Sequence, residues 1–368
     1  MRLARVLVRQ DHEVVVWAPE WCRERVESWG GTFELHEPAM PRVNGPVGHV
    51  AELATTTEQL TEDLIARLFH YEVDLLVHDS QTPWARVAGD YLGIPRIVSH
   101  PMFPIVAPLH IPSDAERLLP VPDFDEARER FGASWLAVAR RWGVELESAH
   151  NVIHSSAEAK VVYTTEKIMG SYPIEPNWHF VGPLMDPGPR VAPPRDRPLV
   201  YVCFGTQFNA RAALFESVIR GLANEPVDVL VSTGRGMVSA VDIDPLPANV
   251  TLREFVDARE VLARASVHVT HGGCNSVHET LLAGVPMVFL PQAFDQFPLA
   301  HSVELLGAGV LALERPEEIR GAVRLLLGSG KARARARQLS VHLAGYDGER
   351  RVAALIKRVL FENAALTA

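Results

Sequence analysis

The chain has 368 residues, with 45 acidic and 36 basic side chains, a formal net charge of −9 and 47% apolar residues. That length suggests two domains. The acidic balance argues against a general nucleic-acid or membrane-surface binder, which needs a basic stripe. The three cysteines, Cys22, Cys203 and Cys274, lie far apart and spell out neither a disulfide framework nor a zinc spacing. No apolar run reaches the roughly 18 residues of a membrane span. The N-terminus lacks a signal-peptide core, so the expectation is a reduced, cytoplasmic protein.

Residues 2–10 carry a helical pattern. Strand candidates follow at 13–18, 73–78, 95–99, 160–164, 199–204, 227–232, 250–255, 267–270 and 286–290, with helical stretches at 56–70, 83–92, 209–223 and 275–283 among them. Several strands are near-continuous apolar runs, as strands covered on both faces are. The alternation predicts an α/β protein with parallel sheets. A doubly wound half opens on a strand that lies mid-sheet, whereas this chain opens on a helix. The pattern therefore expects one strand plus one loop, roughly 15–25 residues, upstream of Met1. Without that strand two neighbours would face each other across a gap with unpaired backbone groups.

The segment 183–198 holds six prolines in sixteen residues, a density incompatible with helix interiors or central strands. It predicts an interdomain linker between an N-terminal domain, 1–182, and a C-terminal domain, 199–346. Residues 347–363 read as an amphipathic helix within a last segment, 347–368. A single linker between two similar halves predicts hinge motion. A second proline-rich stretch, 95–123, is too long for an ordinary connection and is a candidate binding loop.

The most informative run is 267–296, VHVTHGGCNSVHETLLAGVPMVFLPQAFDQ. It reads as a strand, then His271-Gly272-Gly273, then a helix starting near Asn275. Glycines permit close backbone approach, and a helix start offers unsatisfied N–H donors and the positive dipole end, which together suit a diphosphate. His271 and the Ser276 hydroxyl can each donate a hydrogen bond. Glu279, one turn on, can accept from a ribose hydroxyl. Asp295-Gln296 in the next loop suit sugar hydroxyls. The plain alternative is a capping box over Ser276 to Glu279, which needs no ligand.

The joint pattern, HGG-x-NS-x-x-E-x-x-x-x-GVP-x-x-x-x-P-x-x-x-DQ, resembles the donor-site signature of inverting family 1 glycosyltransferases with the GT-B fold, in particular the bacterial macrolide and natural-product group. DHEVVVWAP, VDLLVHDSQTPWARVAGDYLGIPRI, FVGPL, VYVCFGT and NVTLREFVDAREVLARA extend the resemblance over nearly the whole chain. It implies two Rossmann-like doubly wound domains with a cleft between them. His271, Gly272, Gly273, Asn275 and Ser276 would hold the diphosphate of a nucleotide-sugar co-substrate, Glu279 the ribose, and Asp295 and Gln296 the sugar. Gly205 and Thr206 would sit at the cleft, and Phe255 and Val256 at the base. The family has Pro-Gln where this chain has Asp257-Ala258. No metal or other cofactor is implied. The last helix would cross back to the N-terminal domain.

In the family a histidine after the first strand is the general base, and an aspartate orients it. Asp79 matches the aspartate; the plain alternative is a cap on the helix at 82–92. The histidine has no counterpart. His12 reads as structural, and His78, His100 and His110 are pocket candidates. Gly48-His49 is only superficially similar to the family's Gly-His pair, because it follows the second strand and precedes the helix at 56–70. The pocket walls, Met40–Val50 and His100–Pro112, are mostly apolar and suit a bulky hydrophobic acceptor. Arg235 and Met237 are candidates for the edge of the donor cleft. The expected activity is transfer of a dTDP- or UDP-linked sugar to a hydroxyl of a natural-product acceptor, with inversion. The alternatives are a nucleotide-sugar binder or auxiliary protein without turnover and a nucleotide-sugar epimerase. The sequence does not specify an oligomeric state.

Overall fold

The computed structural model describes residues 2–37, 45–101, 124–144, 157–170, 177–185, 196–205, 211–234, 238, 241–292 and 295–367. After α1 (Arg2–Val8), strands β1 (Val15–Ala18) and β2 (Thr32–Leu35) pair in parallel through a 3-10 turn and α2 (Arg23–Glu27). Cys22, Val26 and Phe33 are buried between them. A long helix, α3 (Gly45–His70), follows. It begins eleven residues before the sequence pattern places it. Its first half is rich in glycine, valine and threonine, which lower helix propensity. Packing overrides this: Ala51, Leu53 and Ala54 are fully buried. Buried Thr57 and Thr61 donate their hydroxyls back to the carbonyls of Leu53 and Thr57, at 2.7 and 2.6 Å.

β3 (Leu76–Asp79), α4 (Pro83–Leu92), β4 (Arg96–His100), α5 (Phe124–Trp142), β5 (Ala159–Val162), α6 (Glu166–Met169) and β6 (Trp178–Phe180) complete the first half. The sheet order is β3-β4-β5-β6, all parallel. Among the described residues β1 bonds only to β2, and β3 only to β4, so each presents an unpaired edge. Contact between the two sheets runs through side chains: Trp17 of β1 packs on a cluster of Leu53, Leu64 and Leu68 from α3, Leu76 from β3 and Trp84 from α4.

The second half contains β7 (Leu199–Cys203), α7 (Ala212–Leu222), β8 (Asp228–Ser232), β9 (Val250–Arg253), α8 (Ala258–Leu262), β10 (Val267–Thr270), α9 (Cys274–Leu282), β11 (Met287–Phe289), α10 (Gln296–Leu305), β12 (Gly309–Leu311), α11 (Pro316–Gly328), α12 (Gly330–Ala344) and α13 (Gly348–Thr367). Its sheet is parallel in the order β12-β11-β10-β7-β8-β9. Val200, Val202, Val229, Val267 and Val269 are buried against Phe215, Ile219 and Ile319 of α7 and α11. Strands β2, β6 and β12, absent from the sequence reading, are three or four residues long and lie at sheet edges.

The halves do not meet through the linker alone. Val162, Ile168, Met169, Trp178 and Phe180 of the first half share one buried cluster with Val277, Leu281, Leu299 and Leu339 of the second. Opening a hinge there would expose this apolar seam, which opposes the free hinge motion expected from the linker. α13 packs back on the first half, with Val352, Leu355, Ile356 and Val359 buried against Leu3, Leu7, Ile97 and Val161. Ile356→Ala, at a position 2% exposed, should cost about 2–5 kcal/mol. A lowered urea midpoint, with the fold of the remaining chain retained by circular dichroism, is the expected result.

Candidate functional site

The chain leaves β7 toward β8 and β9 on one side, then returns to β10, β11 and β12 on the other. Winding therefore reverses between β7 and β10, and the carboxyl ends of that pair open a crevice where ligands of open α/β sheets bind. Phe204-Gly205 leave β7 there, and His271-Gly272-Gly273 leave β10.

α9 starts directly behind these glycines. Gly273 is its N-cap and offers no side-chain cap. The first bond runs from Val277 N–H to the Gly273 carbonyl, at 2.9 Å. The N–H groups of Cys274, Asn275 and Ser276 find no acceptor among the described residues, and Asn275 is exposed. Ser276 thus sits inside the first turn, so the capping-box alternative is not realised; its hydroxyl lies 3.4 Å from the Thr270 hydroxyl. The helix end is open, with the donors and dipole an anion requires.

The glycines have a second purpose that the sequence reading did not anticipate. The His271 ring lies between Gly205 and Gly273. A Cβ on Gly205 would come within 2.9 Å of His271 Cε1, and one on Gly273 within 2.5 Å of Nε2. Burial lowers the His271 pKa to about 4, partly opposed by a hydrogen bond with the Cys203 backbone. The ring is therefore neutral near pH 7. Its Nδ1 is buried without a hydrogen-bond partner, which is costly unless a ligand supplies one.

Around this centre the other candidates converge. Burial raises the Glu279 carboxyl pKa, opposed by Arg259 and reinforced by Asp257, so Glu279 faces the start of α8. Asp257 caps α8 by accepting from the N–H groups of Arg259 and Glu260, at 2.9 and 3.3 Å. The departure from Pro-Gln thus leaves the helix start intact. Val256 packs into the cluster under β7, while Phe255 is 76% exposed at the end of β9. Asp295 is held by burial at a pKa of about 6. Its charge also pushes up the buried Cys274 thiol, which places it near the start of α9. Gln296 is buried, and its Oε1 accepts the Gln292 N–H at 2.7 Å. Beside it, Asp295 offers the carboxylate of this loop. Thr206, Arg235 and Met237 lie outside the described residues, as do 38–44, 102–123 and with them His110.

Asp79 ends β3, at the carboxyl edge of the first sheet. Its Oδ1 accepts the Gln81 N–H at 2.8 Å, and α4 has Thr82 as its N-cap, so Asp79 does not cap that helix. Burial raises the Asp79 pKa, and burial likewise raises that of the Tyr163 phenol beyond β5, with the Asp79 charge adding to it. His78 Nδ1–H donates to the Asp79 carbonyl at 2.9 Å, and burial holds this ring neutral with a pKa of about 4. His100 stacks on Trp178, with centroids 5.1 Å apart. His49 is the residue the sequence reading set aside. It lies in the first turns of α3, with Nε2 2.6 Å from Gln81 Oε1. An amide oxygen only accepts, so Nε2 carries the proton and Nδ1 is the basic nitrogen. Nδ1 has no hydrogen-bond partner among the described residues. Thr164, next to Tyr163, lies 2.9 Å from His278 Nε2 on α9. The carboxyl ends of both sheets therefore meet at this seam.

Residues 226–354 match the family described as erythromycin biosynthesis protein CIII-like, C-terminal domain. The NDP-glycosyltransferase YjiC of Bacillus subtilis is 31% identical over 173 residues, 46% of this chain and 44% of the relative. The 4'-demethylrebeccamycin synthase of Lentzea aerocolonigenes is 33% identical over 183 residues, 47% and 42% of the two chains. The chain thus spans less than half the length of these two curated relatives. The crystal structure of the glycotransferase of kitacinnamycin superposes with a TM-score of 0.80 at 26% identity, over 97% of this chain and 94% of that one. The chain thus has the GT-B fold of that glycosyltransferase over nearly its whole length, and residues 226–354 carry the family match. The family match includes the whole His271–Glu279 run, so the open helix end lies inside the shared domain.

Gly273 has φ −61°, which any residue adopts. Gly273→Ala should therefore leave the backbone unstrained but displace the His271 ring. The expected result is nucleoside diphosphate affinity weakened about tenfold, measured by calorimetry, with stability lowered by about 1–3 kcal/mol because the buried ring must shift. Asp295 ionises only above about pH 6, and a carboxylate accepts sugar hydroxyls better than the acid does. Affinity for a nucleotide sugar should rise from pH 5 to 7 and then level off. The matching nucleoside diphosphate should lack that rise, and Asp295→Asn should abolish it.

Proposed function

We propose that the chain transfers a sugar from a nucleoside diphosphate sugar to a hydroxyl of a bulky, apolar natural-product acceptor, with inversion at the anomeric carbon. The observation that carries this reading is the open amino end of α9, where among the described residues three N–H groups find no acceptor beside a buried imidazole nitrogen without a partner, at the switch point. As the bond from the anomeric carbon to the β-phosphate oxygen breaks, negative charge grows on the diphosphate. Fixed donors already aimed there stabilise it without reorganising. His271 is neutral, so it adds no charge beside the diphosphate. Glu279 faces the ribose in this reading, Phe255 offers a free aromatic face to the base, and Asp295 accepts from the sugar. The names of the relatives, an NDP-glycosyltransferase and proteins of rebeccamycin and kitacinnamycin, support the donor and acceptor classes.

A single displacement makes the new bond from the acceptor oxygen as the old one breaks on the opposite face, so the product is inverted. The acceptor proton needs a base on the first-half side of the crevice. In this reading His49 takes it at Nδ1, since Gln81 fixes the opposite nitrogen as the protonated one. Asp79, tied to the backbone of the same Gln81, supplies the negative field. Removing a general base costs about 10²–10⁴-fold in rate. His49→Gln should therefore lower kcat by that range while leaving calorimetric binding of UDP or dTDP unchanged. A kcat equal to that of the unsubstituted chain would remove His49 from the mechanism. The reaction itself is tested by incubating nucleotide sugar with a panel of polyketide and aromatic aglycones. Acceptor-dependent release of nucleoside diphosphate and a single inverted anomer by NMR are expected. One observation favours a second reading, a binder without turnover: among the described residues no histidine is hydrogen-bonded to the Asp79 carboxylate. Tight diphosphate binding with no transfer to any acceptor would favour that reading.

A further inference from the structure

At the opposite end of the second sheet lies a cavity of about 420 Å³, outside the crevice just described. It is bounded by α8, the turn from α9 to β11, and α12. This is the amino end of the strands: Ser266 precedes β10, and Val285 precedes β11. The lining is apolar along Leu262, Ala265 and Val285, and Val341 stands at its edge, 76% exposed. Its volume falls within the roughly 300–1,000 Å³ of small-molecule sites.

Two guanidiniums share this cavity. Arg333 and Arg337 are one turn apart on the same face of α12. Arg333 is half-buried and donates one hydrogen bond, to the Ser266 carbonyl at 3.1 Å. Burial and the positive charge of Arg337 both press on its ionisation in the same direction, downward. Neither arginine forms an ion pair with a carboxylate among the described residues. The Arg337 stem rests against the α9–β11 turn, where a Cβ on Gly284 would meet its Cγ at 3.2 Å. α12 carries Lys331, Arg333, Arg335 and Arg337 and no acidic residue, within a chain of net charge −9. Like charges four apart on a helix oppose folding, and here no internal anion offsets them.

We propose that this cavity binds a small anionic amphiphile. A carboxylate or phosphate monoester head would sit between Arg333 and Arg337, and a short alkyl or aryl tail would lie on the floor of Leu262, Ala265 and Val285. Oxyanions match guanidinium geometry with paired, charge-assisted hydrogen bonds. The tail buries apolar surface that an inorganic ion leaves wet. The site shares no residue with the diphosphate crevice, so it stands whether or not the chain transfers sugars.

The test is calorimetric titration of the full chain with decanoate, decyl phosphate, decanol and inorganic phosphate, below micelle-forming concentrations. Both anionic amphiphiles should bind, with decanol and inorganic phosphate at least about tenfold weaker. Arg337→Gln should weaken the anions about tenfold and leave decanol unchanged. Val341→Glu, at the exposed rim, should weaken them by repulsion without touching the core. UDP and dTDP titrations should be the same in every variant. Equal affinity for decanol and decanoate, binding unchanged in both variants, or no anion binding to millimolar concentration would each overturn the proposal.

Discussion

The start of α9 is where the geometry of the molecule is decided. Its free N–H groups are useful only if the helix is held rigidly at the reversal between β7 and β10, and both of its faces do this. Val277 and Leu281 are buried in the cluster that joins the halves. His278 reaches Thr164 across the seam and also bonds the Cys274 carbonyl, at 2.7 Å. One helix thereby orients the crevice and locks the position of the first sheet relative to it. The cost is a pair of glycines that cannot carry a side chain, because the His271 ring occupies that space.

Much of this was legible locally. A strand, two glycines and a helix start are contiguous, so their order alone predicts an uncapped helix start at a sheet's carboxyl edge. Asp79 was legible in the same way, at the end of an apolar run. What escaped the sequence were contacts between distant residues. The packing of His271 on Gly205 spans 66 residues, and sequence supplies a flexibility argument for the glycines where the structure supplies a steric one. The Ser276 capping box failed because the helix begins two residues earlier. The helical pattern from residue 56 leaves His49 in a loop, whereas burial of Ala51 and Leu53 extends α3 back past it, against its own propensities. The proline-rich linker predicts a hinge between two halves, and the apolar seam beside it depends on residues 162–180 meeting residues 277–339.

Electrostatics divides the second half into two ends. At the carboxyl ends of its strands the ionisable groups are buried and shifted toward neutrality: His271 downward, Glu279 and Asp295 upward. Near neutral pH His271 adds no charge there, while Asp295 is a carboxylate. At the amino ends, α12 offers uncompensated guanidiniums beside an apolar floor.

The interrupted first sheet has a mechanical consequence. No backbone ladder joins β1 and β2 to β3 among the described residues. They are tied to the body by the side chain of Trp17 on the α3 cluster and by Glu34, which meets Arg67 at 3.2 Å and also accepts from Tyr71. Such a ribbon is a separate foldon, able to peel away without tearing the main sheet and with amides that exchange sooner than those of β4 or β7. Because it rests on α3, its loosening would reach the helix that carries His49, on the first-half side of the crevice.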